Sequence, residues 1–158
     1  MISNVTFTAK PDSLESTAVC VINKPRADVF KAYTNRELIS KWWFDNENMR
    51  VEEMDVRAGG SWCFVQESPQ GDFPFRGVYH RVETPQQDTA SNQIITTWGF
   101  DAAPAVFLET VTFEDTADGG TKVTDQFVFQ SVADREMMLT SGMENGTIPM
   151  FERLEKLL

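Results

Sequence analysis

The stretch Asp55-Val56-Arg57-Ala58-Gly59-Gly60-Ser61-Trp62, set between the Trp42-Trp43 pair and Phe75-Arg76-Gly77-Val78-Tyr79, narrows the possible folds more than any other part of the chain. Adjacent glycines between alternating runs supply a turn with positive backbone angles. Aromatic residues on either side then project from paired strands toward one shared interior. The pattern describes a curved sheet wrapped around something.

Neighbouring segments extend it. Glu15 to Ile22 alternates loosely and is rich in small and β-branched residues, which predicts a strand. Asn23 reads as an N-cap with Pro25 in the first turn, and Val29, Phe30 and Tyr33 fall at helical spacing, predicting a helix over Arg26 to Tyr33; Asn35 caps a second, Arg36 to Trp43. Further strands are predicted at Met49 to Arg57, Ser61 to Glu67, Phe73 to Glu83, Gln93 to Phe100, Val106 to Glu114 and Thr121 to Ser131. Turn residues between them, Asp118-Gly119-Gly120 among others, predict antiparallel hairpins. From Val132 the period becomes helical, with Leu139, Met143, Met150, Leu154 and Leu157 on one stripe, so one long terminal helix is expected across the sheet. Pro149 would meet the Asn145 carbonyl, which predicts a kink near Asn145-Gly146. The first dozen residues leave two readings open, a loose arm or Val5 to Thr8 adding to the sheet.

The chain's 158 residues are expected to form one domain, residues 1–158, and the 41% hydrophobic share with twelve Phe and four Trp is enough for a core and a cavity lining besides. A net charge of −10 without a Lys or Arg run argues against nucleic acid as a partner. No apolar stretch approaches the roughly 20 residues that span a bilayer, and Met1-Ile2-Ser3-Asn4 lacks the basic start of a secretion signal; no membrane partner and a cytoplasmic location are expected. Cys20 and Cys63 sit in strand-like segments and read as buried free thiols. With one His and no cysteine cluster, neither a metal nor a cofactor is expected. Spare Met and Leu side chains leave a homodimer open.

Ile22-Asn23-Lys24-Pro25-Arg26-Ala27-Asp28-Val29-Phe30, Thr34-Asn35-Arg36-Glu37-Leu38, Lys41-Trp42-Trp43, the Asp55 to Trp62 stretch, Phe75-Arg76-Gly77 and Gly119-Gly120-Thr121-Lys122-Val123-Thr124 together resemble the START-like or SRPBCC superfamily, also called polyketide cyclase-like. The likeness is strongest to the branch named after the activator of heat-shock-protein ATPase and runs from about Ser16 to Leu158. It implies an α+β helix-grip fold: a curved antiparallel sheet of about seven strands around a long C-terminal helix, with two short helices after the first strand. It also implies a cavity that in relatives takes apolar or amphipathic small molecules. The matching motifs are structural and name no reaction.

Alternation places Glu109 on a face with Phe107, Val111 and Phe113, and Asp125 on one with Val123, Phe127 and Phe129. If the two strands pair about Asp118-Gly119-Gly120, the carboxylates become neighbours in an apolar setting. One pKa must then rise, the condition for a general acid or base near neutral pH. The superfamily resemblance implies an apolar residue where Asp125 stands. Three alternatives stay open: a bulge, a one-residue slip, or neutralisation by Arg57, Arg76 or Arg81. His80 reads as an exposed edge residue.

Candidate ligand-binding residues are Trp62, Phe64, Phe75, Arg76, Tyr79, Trp98, Phe107, Met143 and Met150, joined by Phe100 as a further wall candidate. For each aromatic, core packing is the competing reading. The expected partner is an apolar or aromatic small molecule, with Arg76, Tyr79, Trp98 or Glu109 fixing its orientation. The alternatives are an enzyme of cyclase, dehydratase or isomerase type using Glu109 and Asp125, and a chaperone-interacting domain with Trp42-Trp43 as an exposed patch.

Overall fold

Alternation dictates the sheet. In β8 (Thr121–Phe129), Thr121, Val123, Asp125, Phe127 and Phe129 are all buried, and in β2 (Glu15–Ile22) Ser16, Ala18, Cys20 and Ile22 turn inward. These two strands pair antiparallel from Glu15↔Val128 to Ile22↔Thr121. The computed structural model describes residues 5–44, 48–101 and 103–158; the Met1-Ile2-Ser3-Asn4 start lies outside the described residues.

The other strands are β1 (Thr6–Thr8), β3 (Met49–Met54), β4 (Ser61–Gln66), β5 (Phe73–Val82), β6 (Ser91–Phe100) and β7 (Ala103–Asp115). Among the described residues they form one eight-stranded sheet in the order β1-β2-β8-β7-β6-β5-β4-β3, antiparallel throughout. The strand beyond the expected seven is β1, so the second reading of the N-terminal segment holds. Gly59, with φ of 85°, provides the positive angle of the β3–β4 turn. Bulges between Val51 and Glu53, and between Tyr79 and Arg81, shift the pairing register.

Two helices, α1 (Arg26–Thr34) and α2 (Arg36–Ile39), link β2 to β3. The side chain of Asn35 caps α2 by accepting from the Glu37 and Leu38 amides. Asn23 does not cap α1: Pro25 stands at that position, with no side-chain bond, and its carbonyl accepts from the Asp28 and Val29 amides. The second helix ends at Ile39, and turns carry the chain through Trp43 to Phe44, whose φ of 44° is costly for a bulky residue.

The terminal segment is two helices, α3 (Val132–Thr140) and the long α4 (Met143–Leu157), instead of one kinked at Asn145-Gly146. The break falls at Gly142, which takes a left-handed φ of 96° and donates to the Leu139 carbonyl. Pro149 remains inside α4; Asn145 is exposed, so the carbonyl left without a helical partner has access to water. Phe151 and Leu154 of α4 are fully buried in the core cluster, and Arg153 Nε donates to the Trp42 carbonyl at 3.1 Å. Phe30 and Tyr33 of α1 meet Phe113 of β7 edge-on, with ring centroids 5.8 and 5.0 Å away. Among the described residues, no helix is long and apolar enough to cross a membrane.

Candidate functional site

The inner face of the sheet is filled at one end and hollow at the other. A cavity of about 390 Å³ lies between β5 to β8 and the α3–α4 junction. Phe75, Trp98, Phe100, Phe107 and Phe127 form its sheet side, Met137, Met138, Met143 and Met150 its helix side, and Trp43 and Phe44 its end. Strand pairing fixes the rings: Phe75 stands opposite Phe100 and Trp98 opposite Phe107. Trp98 is stacked between Trp43 at 5.1 Å and Phe107 at 5.4 Å, and Phe44 stacks on Phe75 at 4.9 Å.

Glu109 is the one charged side chain among the described residues that line this cavity. In the register, Glu109 faces Phe127 and Val111 faces Asp125, so the two carboxyls are diagonal neighbours on the inner face. Neither a slip nor a bulge separates them. The Asp125 side chain is 1% exposed and hydrogen-bonds to Glu109, while Trp98 Nε1 donates to Glu109 Oε2 at 2.5 Å. Burial pushes both carboxyls upward. For Asp125 the Glu109 charge adds to that push, whereas Glu109 is partly relieved by the hydrogen bonds from Asp125 and Trp98. Burial and mutual repulsion therefore disfavour both carboxyls being ionised at once.

Behind the pair lies a second space of about 40 Å³, lined by Tyr33, Trp62, Phe64, Tyr79, Glu109 and Asp125 among others. Two buried polar atoms in its walls, Tyr33 Oη and Asp125 Oδ1, have no hydrogen-bond partner. Burial raises the Tyr33 hydroxyl well above its ordinary value, and the charges of Asp125 and Glu109 add to the effect. Tyr79 is likewise raised, mainly by burial.

The structure thus sorts the sequence candidates into three groups. Phe75, Trp98, Phe107, Met143 and Met150 line the large cavity together with Phe100. Trp62, Phe64 and Tyr79 line the inner space, where the Trp62 indole donates to Thr96 Oγ1 at 3.1 Å. Arg76 lies with neither. The residue after Phe75 points to the opposite face, where Arg76 is about half exposed and pairs with Asp101 at 3.0 Å, each group shifting the other toward its charged form. No arginine proposed above neutralises the carboxyl pair: Arg57 bonds Asp55 at 2.8 Å and Arg81 pairs with Glu83 at 3.8 Å. The Trp98 N–H, expected as a ligand donor, is engaged by Glu109.

The Trp42-Trp43 pair is no exposed patch: Trp42 is fully buried, its indole donating to the Ala32 carbonyl at 3.0 Å, and Trp43 is 5% exposed. Trp43, Phe44 and Tyr33 are wall residues that sequence reasoning did not place. Helical spacing put Tyr33 on the Phe30 face, the signal available for it. His80 is exposed, and Cys20 and Cys63 are buried free thiols, with burial pushing Cys20 up to about 11. Among the described residues, no group of three or more His, Cys, Asp or Glu gathers in a metal-binding arrangement.

Comparison with known proteins agrees with this architecture. The family described as "Activator of Hsp90 ATPase homolog 1-like protein" matches residues 23–158, and the chain belongs to that family, part of the SRPBCC superfamily. Members of that superfamily typically bind small ligands. No curated protein matches the chain. Among solved structures it is similar to a protein from Arthrobacter aurescens, with 18% identity, a TM-score of 0.82, and coverage of 96% of this chain and 90% of the other. Ms6760 from Mycobacterium smegmatis gives 19% identity, a TM-score of 0.81, and coverage of 98% and 96%. A protein from Staphylococcus epidermidis gives 24%, 0.76, and 97% and 93%. At these identities the likeness extends to the fold alone.

Proposed function

We propose that this family member binds an apolar or aromatic small molecule in the cavity between the sheet and the α3–α4 junction. The supporting observation is the cavity itself: about 390 Å³, walled by aromatic rings and methionines, in the size range of small-molecule sites. Burial of ligand carbon drives binding at roughly 25 cal/mol per Å². Flexible methionines on the helix side adapt to its shape. Phe73 and Met137, 43% and 42% exposed, lie where the cavity meets solvent and mark its mouth. Native mass spectrometry of gently purified protein tests this reading. A stoichiometric apolar adduct, released on denaturation, is the expected result; bare protein that also fails to take up neutral aromatic probes contradicts it.

The carboxyl pair favours a second reading, proton transfer on an enolisable ligand. Glu109 opens onto the cavity and Asp125 supports it from behind. Glu109 would take a proton from a carbon next to a carbonyl and return it to the same or a neighbouring atom. Incubation of a recovered carbonyl ligand in deuterated water would show Glu109-dependent deuterium uptake. Uptake unchanged in Glu109→Gln removes this reading.

A further inference from the structure

Resting on the cavity-binding reading, we infer that the occupant is an organic cation, an aromatic or apolar frame carrying a protonated amine seated against Glu109. The cavity wall contains one charged side chain, and it is acidic; among the described residues lining either space there is no Lys, Arg or His. Arg76 and Arg81 of β5 are occupied on the outer face, with Asp101 and Glu83 respectively, and the buried Arg135, two residues before Met137, is held by the Lys10 carbonyl and by Glu136. A carboxylate-bearing ligand would bring a like charge beside Glu109 in a poorly hydrated space, with no cation to offset it. A wholly apolar ligand would strip water from Glu109 and return nothing. A protonated amine supplies the missing counter-charge and hydrogen bonds.

Two groups hold the Glu109 carboxyl in place at the cavity wall. Asp125 hydrogen-bonds to Glu109 from the inner side, and Trp98 Nε1 fixes its Oε2. The buried Asp125 Oδ1 and Tyr33 Oη, both without partners, border the inner space. Its volume of about 40 Å³ suits water, since one water needs roughly 10–15 Å³ measured this way. The ligand's charged end is therefore placed at the Glu109 side of the large cavity and its frame among Phe75, Phe107 and the methionines.

Three probes of one shape separate the possibilities: naphthylethylamine, naphthylethanol and naphthylacetate, titrated by calorimetry at neutral pH. About 0.15 M salt screens the general acidity of the protein beyond roughly 8 Å. The amine is expected to bind at least about tenfold more tightly than the acid, with the alcohol between them. In Glu109→Gln that ratio should shrink to about threefold or less while the alcohol changes little. Equal binding of all three, tighter binding of the acid, or an amine preference untouched by Glu109→Gln overturns the inference and leaves the cavity reading standing. Failure of all three to bind folded wild-type protein overturns both. Should Glu109→Gln not fold, the wild-type order of the three probes still decides.

Discussion

Two ends of one sheet face, built from the same strands, meet opposite fates. Under α1, Phe30 and Tyr33 close edge-on onto Phe113, which is fully buried. Under the α3–α4 junction, Phe75, Phe100, Phe107 and Phe127 border about 390 Å³ of space. Aromatic content does not distinguish the two, since both rows are Phe-rich. The difference lies in what covers them. The first has a helix that presents rings to the sheet; the second has methionines and a break between helices at Gly142, with Gly146 one turn on, and an added Cβ at either glycine would meet nothing within 4 Å. An aromatic side chain is core or cavity wall according to its cover.

Phe113→Ala attacks the filled end and should have the largest effect, a loss of about 3–5 kcal/mol, read as a fall in melting temperature on the order of 10 °C. Phe75→Ala attacks the hollow end. With part of its surface already facing space, it should cost less than about 2 kcal/mol, yet weaken binding of a neutral aromatic probe about tenfold or more. Equal destabilisation by the two substitutions would erase the contrast. A smaller effect belongs to Asp125→Asn, at the boundary between the two ends. The folded-state pKa of Asp125 lies above its unfolded value, so the folded chain keeps a proton that the unfolded chain releases as pH rises through the ordinary carboxylate range. Its contribution to stability is therefore full below that range and declines as pH rises toward the folded value. Asn removes the decline and retains a donor for Glu109, so the variant should gain on the order of 1 kcal/mol over wild type near pH 8 and little near pH 4. Among the described residues lining the inner space beside the pair, the titratable side chains are Tyr33 and Tyr79, neither of them cationic. Parallel urea titrations at the two pH values check this, and an equal change at both contradicts it.

Much of this architecture was legible in the chain because period-2 alternation and glycine turns act locally. Strand β2 spans the predicted Glu15 to Ile22, and the Asp118-Gly119-Gly120 turn set the β7–β8 register that makes Glu109 and Asp125 diagonal neighbours. The path of the chain after α2 was not legible. Whether Trp43 faces solvent or Trp98 depends on turns and on a strained Phe44 that no periodicity encodes. The break at Gly142 instead of Gly146 was equally hidden, because either glycine accepts a left-handed φ and only the packing of α4 selects one. Arg76 shows the reverse: alternation alone sets it on the face away from Phe75, although a guanidinium is chemically suited to orienting a ligand.

Gly146→Leu tests the central claim most directly. Gly146 lines the cavity at an exposed position where an added Cβ meets nothing within 4 Å, so Leu adds bulk at the cavity wall without displacing the core, and replacing a helical glycine favours the helix by about 1 kcal/mol. Titration with the neutral fluorophore N-phenylnaphthylamine, alongside thermal melts, reads both consequences. The account predicts saturable one-to-one binding in wild type, loss of at least about tenfold in affinity in the variant, and an unchanged or higher melting temperature. Binding that is unaffected by Gly146→Leu, or lost only together with the fold, would contradict it.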